Sequence, residues 1–178
     1  TDRVAYAIVL PRGLPRRRRR VQNARHIIAP ENPMLACVSP GQGSQKKGMG
    51  QGLFDEAREY AEVEGEVDAI LGYSMRELCL EDPESRLKDT RYTQPALYVV
   101  NALHYYKAMD EGVRPDMLAG HSLGEYNALL AAGVFDFLTG LRLVQRRGVL
   151  MAQATGGGMG AVIGLAPDAI AAVLHDNG

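Results

Sequence analysis

The chain reads as an α/β protein, and three stretches carry that expectation. Met34 to Ser39 is an apolar hexapeptide stopped by Pro40-Gly41 and followed, after a glycine-rich loop, by residues with helical spacing. Asp116 to Ala119 is a short extended run entered from Pro115, and a helical pattern follows directly after Gly120-His121-Ser122-Leu123-Gly124. Met159 to Leu165 and Pro167 to His175 repeat the order of strand then helix. Strands that alternate with helices in this way favour a parallel sheet flanked by helices.

Length and composition bound the reading. At 178 residues and 46% hydrophobic content, the chain can bury a real core in one domain or slightly more. No apolar stretch approaches the roughly 20 residues that span a bilayer, so a soluble protein without a membrane role is expected. Cys37 and Cys79 sit in a predicted strand and a predicted apolar helix, which suits buried free thiols and a cytoplasmic setting. They have no metal-ligand spacing, His26, His104, His121 and His175 do not cluster with them, and no metal is expected.

The formal charge of -1 hides an asymmetry. Residues 1–33 hold eight arginines against Asp2 and Glu31, a local charge of +6, and the remainder carries -7. Arg16 to Arg20 is an unbroken arginine run among prolines, which repels itself and resists helix formation, so residues 1–33 are read as a basic, disordered tail or linker. Without interleaved aromatics, a solvated tail is favoured over nucleic-acid binding. The segment is rich in arginine and poor in acids, as organelle transit peptides are, but contains no serine.

Each later element has a local cause. Gly41-Gln42-Gly43-Ser44-Gln45 lacks the lysine and glycine spacing of a nucleotide-binding loop. A helical pattern then runs from Leu53-Phe54 through Ala57, Ala61 and Val67 to Ile70-Leu71, and Gly72 closes it. Thr93-Gln94-Pro95 is expected to open a helix, with a capping residue and an early proline, and Ala96 to Tyr106 is apolar on nearly every side and so expected to be buried. After the 116–119 strand, Leu123, Tyr126, Leu129 and Leu130 outline one helical face that runs to Ala132-Gly133. A last long helix is expected from Phe137 to Gln153.

Two features bear on chemistry. Gly120 to Gly124 fits the G-x-S-x-G turn that exposes a serine nucleophile between strand and helix, with small flanking residues because chain passes close by. The first N–H groups of the helix are unpaired there, so the Leu123 N–H can face an oxygen gaining negative charge. The plain alternative is a glycine-rich turn joining strand to helix. The second feature is Arg147, which shares a helical face with Leu143, Leu150 and Met151. A guanidinium on an apolar stripe must pair with an internal carboxylate, reach water, or meet an anionic ligand.

Taken in order, Pro40 to Gln45, Thr93 to Ala96, Gly120 to Glu125, and Arg147-Gly148 with Met151 resemble the malonyl-CoA:acyl-carrier-protein transacylases of fatty-acid and polyketide synthesis. The likeness covers Met34 to Gly178. It implies an α/β-hydrolase-like large subdomain at 34–156, incomplete here, and the beginning of a ferredoxin-like small subdomain at 157–178. It implies a ping-pong reaction in which Ser122 takes the malonyl group from malonyl-CoA and yields it to the phosphopantetheine thiol of acyl carrier protein. Under the same resemblance the backbone N–H groups of Gln42 and Leu123 hold the oxyanion, Arg147 clamps the malonyl carboxylate, and Gln94 and His121 line and order the pocket. No cofactor is implied beyond the substrate.

Leu123 sits at the elbow position where methylmalonyl-selective members often carry glutamine, which points to malonyl. The family's general base is a histidine in a Pro-Phe-His-Ser-like segment beyond the small subdomain, and this chain has no such motif. By resemblance the chain is the first half, or somewhat more, of a family member and inactive by itself. The alternatives are a serine esterase or proofreading acyl hydrolase built on the same elbow, and a noncatalytic fragment that binds a carrier protein.

Overall fold

The computed structural model describes residues 7–8, 34–154, 162 and 164–176. Among the described residues the sheet has three strands, β1 (Ala7–Ile8), β2 (Ala36–Ser39) and β3 (Met117–Gly120), in the order β1-β3-β2. β2 and β3 are parallel, in register from Ala36 opposite Met117 to Ser39 opposite Gly120. The sheet is mixed rather than purely parallel, because β1 joins the other edge of β3 antiparallel, with Ala7 opposite Gly120. β1 comes from the stretch expected to be a tail. The rest of that stretch, with its arginine run, lies outside the described residues.

Between β2 and β3 the chain makes a long helical crossover, as two parallel neighbours require. The single helix expected over Leu53 to Leu71 is instead three, α1 (Leu53–Glu56), α2 (Arg58–Ala61) and α3 (Glu64–Leu71). The break after α1 falls at Ala57, whose extended backbone (φ −81°, ψ 101°) no helix accommodates. Each short helix can then tilt separately, so Phe54, Tyr60 and Val67 all reach the core, with Phe54 and Tyr60 edge to face at 5.2 Å. Gly72 ends α3 in the left-handed conformation, as expected. α4 (Met75–Leu80) is capped by the Ser74 hydroxyl, which accepts from Glu77 N–H.

α5 (Thr90–Asp110) is the axis of the molecule. It starts three residues before the expected Thr93, because Asp89 is the cap and accepts from Arg91 N–H. Thr93 Oγ1 turns inward to the carbonyls of Leu87 and Asp89, and Pro95 falls inside the helix. The expected burial of Ala96 to Tyr106 holds as far as Leu103, within a stretch buried without interruption from Thr93, but His104 is exposed and Tyr105 and Tyr106 are only partly buried.

α6 (Gly124–Ala131) follows β3, and α7 (Phe137–Ala152) packs along α5. The most buried residues at the start of α6 are Leu123, Gly124, Asn127 and Ala128, so the buried face is rotated from the expected Tyr126, Leu129 and Leu130. α7 is capped by Asp136. Its Gly140 leaves room for Tyr98, whose hydroxyl donates to the Phe137 carbonyl at 3.0 Å. α8 (Pro167–Asp176) matches the last expected helix, whereas most of the strand expected before it lies outside the described residues. Among the described residues, no helix is long and apolar enough to cross a membrane.

Candidate active site

The turn between β3 and α6 holds Ser122 at φ 55°, a left-handed conformation that is costly for a residue with a side chain. Its neighbours explain why the turn persists. A Cβ on Gly120 would lie 2.0 Å from Gly124 C, and one on Gly124 would lie 2.0 Å from Ser39 O. The turn is therefore folded tightly on itself and pressed against the end of β2. His121 N–H donates to Ser39 O at 3.0 Å, joining the turn to the loop that leaves β2.

That loop faces the elbow. A Cβ on Gly41 would lie 2.4 Å from His121 O, so the loop reaches the turn only with glycine at this position. Among the described residues, neither Gln42 N–H nor Leu123 N–H has a hydrogen-bond partner. The His121 side chain is exposed and lines, with Gln42 and Ser44, an open depression of about 360 Å³ beside the loop. Ser122 has no hydrogen bond to a histidine among the described residues.

Arg147 supplies the charge. One guanidinium NH2 group donates to Ser122 Oγ at 3.0 Å, and the other donates to Gln94 Oε1. The guanidinium also lies over the Tyr126 ring, 5.9 Å from its centroid. Arg147 pairs with no carboxylate among the described residues. Its position differs from the expected apolar stripe: Leu143 and Leu150 are exposed, and the buried face of α7 is Gly140, Leu141, Val144 and Gly148. Arg147 flanks that face. Close approach at Gly148, where a Cβ would lie 3.1 Å from Thr90 O, brings the guanidinium within reach of α5 and the elbow.

Gln94 is fully buried and links the cation to the loop. Its Nε2 donates to Gln42 Oε1 at 2.9 Å, and Gln42 Nε2 donates in turn to Thr90 Oγ1 at 3.3 Å. A chain of hydrogen bonds thus starts at Arg147, which donates to Ser122 on one side and to Gln94 on the other, and continues from Gln94 to Gln42 and from Gln42 to Thr90. Of the residues expected at the site, Ser122, Arg147, Gln94 and Gln42 are joined by direct hydrogen bonds, Leu123 contributes an N–H without a partner among the described residues, and His121 stands at the rim. Thr90, Asn101, Asn127 and the ring of Tyr126 were not foreseen as parts of this region. A legible signal existed, since Thr90, Gln94 and Asn101 lie within about 40° of one another on a helical wheel, a polar stripe on an otherwise buried helix.

A serine on a strained strand-to-helix turn, near two N–H groups that have no partner among the described residues, defines the class of α/β proteins built around an exposed nucleophilic serine. Residues 37–177 match the acyl transferase domain family, and the chain belongs to it. It is 58% identical over 144 residues to the polyketide biosynthesis malonyl CoA-acyl carrier protein transacylase PksC of Bacillus subtilis, covering 80% of this chain and 49% of that protein. The crystal structure of a malonyl CoA-acyl carrier protein transacylase from Burkholderia pseudomallei superposes with a TM-score of 0.75 at 54% identity, covering 81% of this chain and 49% of that one. A type II polyketide-synthase acyl-carrier protein bound to its malonyl-transacylase is a further neighbour, with a TM-score of 0.69 at 39% identity over 80% of this chain and 48% of that one. The chain spans about half the length of these relatives.

Proposed function

We propose that the chain carries the nucleophile-bearing part of a malonyl-CoA:acyl-carrier-protein transacylase of polyketide or fatty-acid synthesis. One observation carries the reading: a guanidinium with no carboxylate partner among the described residues is held directly at the hydroxyl of the elbow serine. A cation fixed there by Gln94 and Tyr126 suits an acyl group that ends in its own carboxylate, and a monoacyl group would leave it unpaired. That argues for malonyl over acetyl and against the acyl-hydrolase alternative.

In the first half-reaction, Ser122 Oγ attacks the thioester carbonyl of malonyl-CoA and loses its proton to a base. The tetrahedral oxygen sits between the Gln42 and Leu123 N–H groups, contacts worth roughly 2.7–4 kcal/mol each in comparable sites. The carbon–sulfur bond breaks, CoA leaves as the protonated thiol, and malonyl remains esterified to Ser122 while Arg147 holds its carboxylate. In the second, the phosphopantetheine thiol of an acyl carrier protein attacks the ester, and Ser122 regains a proton. No cofactor is needed. Within the family resemblance the base is a histidine in a segment this chain does not contain, so turnover belongs to a protein that includes it.

On this reading residues 34–156 form the large subdomain, 157–178 open a small one, and the enzyme works in the cytoplasm. Two free cysteines support that compartment. The test is acylation: malonyl-CoA should leave one malonyl ester on Ser122 in a chain that includes the downstream segment, and Ser122→Ala should abolish it. A label retained in Ser122→Ala, or faster hydrolysis of acetyl-CoA than malonyl transfer, would overturn the assignment.

A further inference from the structure

Two buried asparagines sit behind the proposed oxyanion site and touch neither the nucleophile nor the cation. Asn101 on α5 is 8% exposed and Asn127 on α6 is 4% exposed. Asn101 Nδ2 donates to Pro40 O at 3.0 Å and to Asn127 Oδ1 at 3.2 Å, and Asn127 Nδ2 donates to Tyr98 O at 2.8 Å. Both amides are thus fully oriented. Reversing either one would set like groups against each other, donor to donor or acceptor to acceptor.

The placement of these bonds is informative. Apart from its internal hydrogen bonds, the 40–45 loop is tied to the rest of the described residues at two residues only. Pro40 O accepts from Asn101, and the Gln42 side chain meets Thr90 and Gln94. The Asn101 bond fixes the Pro40–Gly41 peptide, one peptide before the Gln42 N–H. Asn127 lies one helical turn beyond Leu123 and so moves with the other N–H. A bond between two buried amides therefore connects the two segments that carry the two donors. Burying two amides in a region of otherwise apolar packing is costly unless they are fully paired, and these are paired to backbone on both sides.

We infer that Asn101 and Asn127 are positioning residues, which set the separation of the Gln42 and Leu123 N–H groups by locking the 40–45 loop to α6 through α5. The inference rests on the proposed acylation of Ser122. It predicts a loss confined to the chemical step, because the Arg147–Gln94 pair that would hold the substrate carboxylate does not contact either asparagine.

The experiment compares wild type, Asn101→Leu, Asn127→Leu and the double variant, each in a chain that includes the downstream segment, by pre-steady-state acylation with malonyl-CoA. Leucine keeps the γ-branched outline of asparagine, at a larger volume, and removes the amide. Each single variant should acylate on the order of 10- to 100-fold more slowly, with KM for malonyl-CoA within about threefold of wild type. The double variant should be no slower than the worse single one, because both changes break the same link. Amide hydrogen exchange should speed up in residues 40–45 and stay unchanged in α7. Folded variants that acylate at the wild-type rate, or that raise KM as much as they lower the rate, would refute the positioning role. Should neither leucine variant fold, Asn127→Ser takes their place, and wild-type acylation and loop exchange in it count equally against the role. If wild type acylates Ser122 and the variants do too, this inference alone fails; if wild type does not, the functional reading fails and this one with it.

Discussion

Gly124→Ala inverts an ordinary expectation. Glycine to alanine inside a helix normally stabilises, by roughly 0.5–1 kcal/mol, because alanine loses less backbone freedom on folding. Gly124 is the first residue of α6, yet its added Cβ would lie 2.0 Å from Ser39 O and 2.6 Å from Ser39 C, both backbone atoms of β2. β2 cannot yield cheaply, since all four of its residues pair with β3. Relief to normal contact therefore requires about 1.5 Å of movement between α6 and the loop after β2. Overpacking of this kind costs about 3 kcal/mol at the upper end of its usual range, which leaves a net loss of about 2 kcal/mol after the helical gain. In a chain of this size that lowers Tm by about 4–8 °C. The same movement separates the Leu123 and Gln42 N–H groups, and a 1 Å misplacement costs acylation on the order of 100-fold. Thermal denaturation and pre-steady-state acylation with malonyl-CoA measure the two effects. A Gly124→Ala protein that melts at or above wild type and acylates normally would refute the tight contact between elbow and loop.

Four further outcomes are expected. Ser122→Gly should lose all malonyl labelling and yet melt higher than wild type, by an amount consistent with about 1 kcal/mol of relieved left-handed strain, and a lower Tm would count against that strain. Arg147→Ala should let acetyl-CoA compete with malonyl-CoA, and Arg147→Lys should recover only part of the selectivity, because an ammonium cannot present a planar fork to Gln94 and a carboxylate together; competition assays read both. The Arg91 guanidinium, with Arg91 N–H, holds the Asp89 carboxyl below the usual carboxylate range, so its contribution to stability is present above the unfolded pKa and is lost as pH falls through the lower folded value. Asp89→Asn should flatten the fall of Tm on acidification below about pH 4, and an unchanged slope would exclude Asp89 as a source of acid sensitivity. Burial pushes the Cys79 thiol up to about 12, whereas Cys37 is only half-buried, so iodoacetamide near pH 8 should modify Cys37 first and reach Cys79 only on unfolding.

Local chemistry was legible wherever a residue's role depends on its own backbone. The elbow, its glycines, the left-handed Gly72 and the burial of Ala96 to Leu103 in α5 all follow from short-range sterics or from apolar residues on every side of a helix. Errors arose where a neighbour decided. The break at Ala57 leaves the periodicity of residues 53–71 nearly intact, so only the core that Phe54, Tyr60 and Val67 fill requires three separate axes. Asp89 displaced Thr93 as the cap because Thr93 found better acceptors inside.

The candidate site divides along the same line. By itself the sequence marked Gly120 to Gly124 as a turn that can expose Ser122 and marked Arg147 as a cation whose partner, a carboxylate, water or an anionic ligand, was left open. Tertiary structure alone decided which way Arg147 points. Its expected apolar companions Leu143 and Leu150 are exposed, and the guanidinium reaches Ser122 because Gly148 lets α7 lie close against α5. Only the fold could join Asn101 to Pro40 and Asn127, or Gln42 to Gln94, across separations of 61, 26 and 52 residues. An amide on a buried helix acquires its meaning from the partner that desolvation obliges it to find, and that partner is a property of packing between distant segments.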